Sequence, residues 1–233
     1  MPQPPTSTTH TCTGSAADIG VLISGGLDSS ILVAHLLDTG RRVQPFYVQS
    51  KLAWEATELD CLRRFLAAVG RRQLAPLVTL ELPLADVYGA HWSTTGEAVP
   101  DAASPDAAVY LPGRNALLLI KAVLWCQLHA IDELALAPLR SNPFPDATDA
   151  FFDEYQAALN RATGGRLRIV RPFAKLTKRQ VMELGRDCPL ELTFSCIDPQ
   201  HGIHCGRCNK CAERREAFRA AGMTDPTQYA GFA

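Results

Sequence analysis

A chain of 233 residues suits one α/β domain, or one domain with a small appendage. Hydrophobic residues make up 47% of it, enough for a sizeable core, and 23 basic against 24 acidic residues leave a net charge of -1. That balance argues against a nucleic-acid or anionic-membrane partner, and no apolar run approaches the roughly 20 residues of a membrane span.

The opening stretch, "MPQPPTSTTHTCTGSAAD", is rich in Pro, Thr and Ser and lacks the apolar segment of a signal peptide. Residues 1–17 are therefore expected to be a disordered tail, and the protein to be cytoplasmic with reduced thiols. Apolar runs then alternate with helical patterns, which predicts a Rossmann-like parallel sheet with crossover helices. Strands are predicted over 19–23, 43–48, 76–82, 131–137 and 167–171, and helices over 27–39, 54–69, 114–129, 147–162 and 177–186. Residues 18–186 form the expected nucleotide-binding α/β domain. Inside it, the long irregular stretch "LPLADVYGAHWSTTGEAVPDAASPDAAVYLPGRN" has the length of a functional or mobile loop. Past Cys188 the strand–helix alternation stops, and residues 187–233 read as a small metal-bearing subdomain.

Two motifs carry chemistry. The first is S-G-G-x-D-S, at Ser24, Gly25, Gly26, Leu27, Asp28 and Ser29, between the first strand and its helix. Backbone N–H groups of such a turn, backed by a helix N-terminus, bind phosphate, and the two serines add hydroxyls. No Lys follows the glycines and no G-x-G-x-x-G is present, so neither a Walker loop nor a dinucleotide site is supported. An ordinary glycine-rich turn, with Asp28 near the helix start as a cap, is the plain alternative. The second motif is C-x8-C-x2-C-x2-C, at Cys196, Cys205, Cys208 and Cys211. Four thiolates around a tight turn at Gly206 suit a structural, tetrahedral zinc site. An iron–sulfur cluster, a disulfide, or His201 or His204 in place of one cysteine are the alternatives. A lone loop histidine is expected to be solvated, so four cysteines are kept as ligands. Cys12, Cys61, Cys126 and Cys188 read as tail or core thiols.

The first motif resembles the pyrophosphate loop of the PP-loop ATP pyrophosphatases, which cleave ATP between the α- and β-phosphates. Both motifs together resemble the 7-cyano-7-deazaguanine synthases, the QueC family. "LPGRN" (Leu111 to Asn115) matches that family's "PGRN", and "RPFAKLTKRQVMEL" aligns Pro172, Leu176 and Lys178 with its "P-L-x-x-L-x-K". The resemblance covers about residues 19–220. It implies a five-stranded sheet of the adenine nucleotide α-hydrolase type and a homodimer. It also implies ATP with Mg²⁺, a 7-carboxy-7-deazaguanine substrate, adenylation of its carboxylate, attack by ammonia, and a second activation that leaves a nitrile. The loop residues 24–29 and Gly113 would bind nucleotide. Asp28, Arg114 and Lys178 become catalytic candidates, with Arg114 and Lys178 contacting phosphate or substrate. Arg114 stands at a helix start, where a cation opposes the dipole and calls for an anion partner. Asn115 can be a mere cap, and Lys178 a surface residue.

The pattern departs from the family in two places. The family's "E-T-D-x-S-G-Y-P-D-C" is "LRSNPFPDATDAF" here: Pro145 and Asp146 survive, and Ser141, Asn142, Pro143 and Phe144 replace the preceding residues. Its "Q-R-H" appears as Gln49, Ser50 and Lys51. These changes fall at strand ends where the acyl substrate is expected. They motivate a second reading, in which a deazapurine or related carboxylate is transferred to another amine, including one on a partner protein. A tRNA-thiolating enzyme, a zinc module binding nucleic acid, and an ATP sensor without turnover fit less well.

Overall fold

The computed structural model describes residues 18–231; the expected tail, with Cys12, lies outside them. In chain order the elements are β1 (Ile19–Leu22), α1 (Leu27–Asp38), β2 (Val43–Gln49), α2 (Glu55–Ala68), β3 (Val78–Glu81), the single turns α3 (Ala85–Tyr88) and α4 (Trp92–Thr95), α5 (Arg114–Leu128), β4 (Glu133–Ala135), α6 (Asp149–Thr163), β5 (Arg168–Val170), α7 (Lys178–Leu184) and α8 (Asn209–Ala220). The strands form one parallel sheet in the order β3-β2-β1-β4-β5. The predicted strands thus all form, but β3, β4 and β5 are shorter than predicted. Ile131 and Leu136 are buried core residues that lie beyond the β4 ladder.

Both faces of the sheet are covered, as a parallel sheet requires. Ile19, Val21, Val43, Tyr47 and Ala135 pack with α1, α2, α7 and α8 on one face. Phe46, Leu134 and Leu136 pack with α5 and α6 on the other. Gly20 is small for a reason: a Cβ there would lie 2.7 Å from Phe46 Cε2 and 2.8 Å from Cys126 Sγ. Cys61 and Cys126 are buried and Cys188 is half-buried.

The strand order reverses at β1. The chain steps outward through β2 and β3, then returns to β4 on the opposite side of β1. In open α/β sheets the carboxyl ends at this reversal border a crevice that takes ligands. The S-G-G-x-D-S turn leaves β1 there.

A third apolar cluster borders the crevice. It joins Leu52, Trp54, Val109 and Leu111 to Phe194, Ile197 and the four motif cysteines. The long irregular stretch lies across the cysteine turn: Ala102 N donates to Arg207 O at 2.8 Å, and Asn209 Nδ2 to Ser104 O at 2.8 Å.

Helix α8 was absent from the predicted elements, because Arg214 stands where its buried stripe calls for an apolar residue. Arg214 is 1% exposed. It donates to Thr193 Oγ1 at 2.8 Å, Leu190 O at 2.8 Å and Thr227 Oγ1 at 2.6 Å, and lies over the Phe218 ring. Arg214→Met is expected to lower stability by about 2–4 kcal/mol, because those acceptors stay buried without a donor. Urea denaturation checks it, with metal content as the control.

Candidate active site

The phosphate-type turn is held from within. Gly25 adopts φ +82, a conformation only glycine takes without strain, and Gly26 starts α1 in extended conformation with no side chain capping the helix. Ser29 Oγ accepts from Ser24 N at 3.2 Å and donates to Gly26 O at 3.3 Å. The turn is also pinned from the far end of the chain, where Phe194 N donates to Gly25 O at 2.8 Å. The first turn of α1 therefore faces an open space of about 350 Å³.

The structure brings most of the expected site residues to that one chamber. Ser24, Gly26, Leu27, Asp28, Ser29, Arg114 and Lys178 all line it. Gly25 shapes the turn behind the wall. Gly113, at φ +71, is the left-handed residue that starts α5 and so places Arg114. Arg114 and Lys178 are each the first residue of their helices, and Lys210, the second residue of α8, lines the same chamber. Cations in a first helical turn oppose the dipole and gain only from anions placed nearby.

Each cation is held differently. A capping box fixes the start of α7: Thr177 Oγ1 accepts from Gln180 N, and Gln180 Oε1 accepts from Thr177 N at 2.9 Å. Lys178 Nζ then reaches Asp28 Oδ2 at 2.6 Å and Oδ1 at 2.8 Å, with Glu213 Oε1 at 3.6 Å. Burial alone would lower the pKa of Lys178, but these two carboxylates outweigh it and hold the value above its ordinary one. Lys210 pairs with Glu213 at 2.6 Å. Arg114 Nε, by contrast, is buried with no hydrogen-bond partner among the described residues, and the residue lines the chamber.

The surviving Pro145–Asp146 pair has a structural task. Asp146 is 7% exposed and its Oδ2 accepts from Asn115 N at 3.0 Å, while Asn115 Nδ2 donates to Asp146 O at 2.8 Å. This ties the 139–148 segment to the start of α5. Asp146→Ala is expected to cost about 1 kcal/mol, the usual loss of a helix cap, read by thermal melting. Of the residues that depart from the expected pattern, Asn142 lines the chamber. Gln49, Ser50 and Lys51 do not; Glu55 Oε2 accepts from Ser50 N at 2.5 Å and Lys51 N at 3.0 Å and fixes that bend.

Sequence reasoning missed the chamber's acidic wall. Glu55 and Glu58 sit on the buried stripe of α2 with Leu59, Leu62, Phe65 and Leu66. Tyr47 Oη donates to Glu58 Oε2 at 2.6 Å. It also missed Phe194, Ser195 and Ile197, which bring the cysteine segment to the chamber.

The four cysteines form a separate, buried cluster with all sulfurs within 4.8 Å of one another. Cys196 and Cys208 sulfurs are 3.9 Å apart, as are those of Cys205 and Cys211. Tetrahedral sulfurs around zinc stand about 3.8 Å apart, given Zn–S bonds of about 2.3 Å. Backbone N–H groups of Asp198 and Cys205 point at Cys196 Sγ, both at 3.3 Å, which favours the thiolate. The donor set fits a metal such as zinc with every position filled by protein. His201 is exposed, and His204 lies outside the cluster. The expectation of a solvated His204 is corrected: it is 5% exposed, its Nε2 accepts from Ser195 N at 3.2 Å, and Phe194 and Tyr229 pack on its ring. Burial, aided by the Arg214 charge, pushes its pKa down to about 3.

Among the described residues no helix is long and apolar enough to cross a membrane. Comparison with known proteins agrees with the two motifs. The chain is 32% identical over 230 residues to a protein named 7-cyano-7-deazaguanine synthase from Thiobacillus denitrificans, covering 90% of this chain and 97% of that protein. It is 31% identical to a protein of the same name from Anaeromyxobacter dehalogenans, covering 94% and 98%. A solved structure described as a predicted subunit of tRNA methyltransferase from Methanocaldococcus jannaschii aligns at a TM-score of 0.48 and 15% identity, over 73% of this chain and 75% of that one; this is too distant to bear on function. The family described as queuosine biosynthesis protein QueC matches residues 19–222, from β1 through the end of α8. Phosphate-type turn, chamber and four-cysteine cluster all fall inside that match, and the chain belongs to the QueC family.

Proposed function

We propose that the chamber binds ATP and a deazapurine carboxylate and converts 7-carboxy-7-deazaguanine to 7-cyano-7-deazaguanine, the product in the names of the relatives. The observation that carries this reading is the convergence of the S-G-G-x-D-S turn with Lys178 and Arg114 on one chamber.

In this reading Ser24 to Ser29 hold the β,γ-phosphates through backbone N–H groups and hydroxyls. Lys178, lodged on Asp28, supplies the cation beside the leaving pyrophosphate, and Arg114 meets the α-phosphate or the substrate carboxylate. Asp28, the carboxylate of that turn, would hold Mg²⁺, which when bound would further neutralise the phosphates. The substrate carboxylate oxygen attacks the α-phosphorus in line and pyrophosphate leaves, giving an acyl-adenylate. Ammonia displaces AMP to form the amide. A second ATP activates the amide oxygen, and loss of AMP leaves the nitrile. Residues 187–233 act as a structural subdomain in which Cys196, Cys205, Cys208 and Cys211 bind zinc and hold Phe194 against the turn.

A second reading has one observation in its favour: Asn142, from the altered segment, lines the chamber. Here the adenylate passes to another amine, such as one on a partner protein. Mass spectrometry of products from the protein, ATP, Mg²⁺ and 7-carboxy-7-deazaguanine, with and without ammonium, separates the two. AMP plus nitrile supports the first. AMP with an adenylate or amide and no nitrile supports the second, and no AMP overturns the first and means a different carboxylate.

A further inference from the structure

We propose that Glu58 is the base that takes the proton from the incoming ammonium in the amide-forming step, an assignment that rests on the function proposed above. The chamber offers few candidates. Among the described residues its lining contains no histidine and no cysteine. Asp28 is committed to Lys178, Glu213 to Lys210 and Lys178, and Glu55 to the backbone of Ser50 and Lys51. Glu58 alone among the lining carboxylates has neither a backbone donor nor an ion pair among the described contacts; Tyr47 Oη donates to one of its oxygens. It is 8% exposed, on a stripe of α2 that is otherwise mostly apolar.

The surroundings suit the task. Tyr47 faces Glu58 from β2, Glu55 from its own helix, the Trp54 side chain from just before that helix, and Arg114 from α5. Burial is the largest influence and lifts the carboxyl to about 7; the Tyr47 hydrogen bond and the Arg114 charge pull the other way, and Glu55 pushes up. Arg114 is close enough to be felt yet forms no ion pair with Glu58, so the carboxylate is not already neutralised. A base titrating near neutrality is matched to proton transfer at neutral pH. Tyr47 and Trp54 line the chamber beside it.

The step balances as follows. Ammonium gives one proton to the Glu58 carboxylate and becomes ammonia. The nitrogen lone pair attacks the acyl carbon, the bond from that carbon to the AMP oxygen breaks, and AMP leaves with the electron pair. The new amide nitrogen releases its extra proton to solvent, and Glu58 later releases the one it took. No oxidant or reductant is needed.

The test uses the full chain and compares two nucleophiles. Pyrophosphate–ATP exchange reads adenylation, and amide formation reads the nucleophilic step. Glu58→Gln is expected to retain exchange and to lose about 100-fold or more of the ammonium-dependent rate. Hydroxylamine, already largely neutral near neutral pH, should recover most of that loss by forming the hydroxamate. Tyr47→Phe removes a hydrogen bond that favours the Glu58 carboxylate, so the acidic limb of the ammonium-dependent rate should move to higher pH. Equal loss with both nucleophiles, or loss of exchange, overturns the assignment. If Glu58→Gln does not fold, an unmoved acidic limb in Tyr47→Phe overturns it instead. No exchange in the wild-type protein is a failure of the proposed function itself, and is recognised because the unaltered chain is silent.

Discussion

Cys208→Ser is expected to release about one equivalent of zinc and to destabilise the protein by several kcal/mol. Structural zinc contributes on the order of 10 kcal/mol or more to the folding of small metal-bound units, and a larger chain keeps only part of its fold without it. Position 208 makes the substitution unusually clean. Cys208 is also the residue that caps α8, with extended backbone and its carbonyl accepting from Ala212 N at 3.1 Å. Serine is a better N-cap than cysteine, so the helix start is not weakened. The loss then reports the metal. It should also reach the chamber. Cys205 N donates to Cys196 Sγ, two residues beyond Phe194, whose own N–H pins Gly25. Elemental analysis and thermal melting check the prediction. Full metal retention with an unchanged melting temperature would remove the four-cysteine assignment.

The sheet and the S-G-G-x-D-S turn were legible because their signals are local. β1 and β2 are mostly apolar and buried on both faces, and the two glycines follow β1 within four residues. The cysteine cluster was legible from spacing, since three of its ligands lie within seven residues, from the turn at Gly206 into the first turn of α8. Helix α8 was not, because its buried stripe contains Arg214, and a hydrophobic period cannot register a buried guanidinium satisfied by Thr193, Leu190 and Thr227. His204 failed for the same reason: a polar ring is read as solvated until its partners are known. The two carboxylates of α2 were visible in principle. Glu55 and Glu58 fall on the same helical face as Leu59, Leu62 and Phe65, and acidic residues on an apolar stripe mark either a cap or a site. What the sequence could not supply is the meeting of Lys178 with Asp28, 150 residues apart, which depends on α7 packing against α1.

That meeting predicts the second large effect. Lys178→Met is expected to reduce AMP formation by about 100- to 1000-fold, the usual loss on removing one preorganised group that stabilises developing charge. The fold should barely notice. The lysine and Asp28 side chains are 23% and 26% exposed, and a pair with that much solvent contact is worth on the order of 1 kcal/mol. Asp28 stays favoured in the first turn of α1, and Glu213 keeps Lys210 at 2.6 Å. The methionine stem replaces the buried methylenes. The pH dependence has a definite sign. The Lys178 pKa is held above its ordinary 10.5, so the pair's contribution is complete below that value and disappears only as pH rises through the higher folded value. Wild-type protein should therefore lose a small increment of stability at the alkaline end that Lys178→Met lacks. Asp28→Ala should likewise stop turnover while zinc and melting behaviour persist, because Lys178 is then left with Glu213 at 3.6 Å. Lys178→Met loses rate at every pH where the lysine is charged, and added pyrophosphate should inhibit it less than wild type. Equal inhibition of both proteins would mean that the cation of α7 does not face the leaving group.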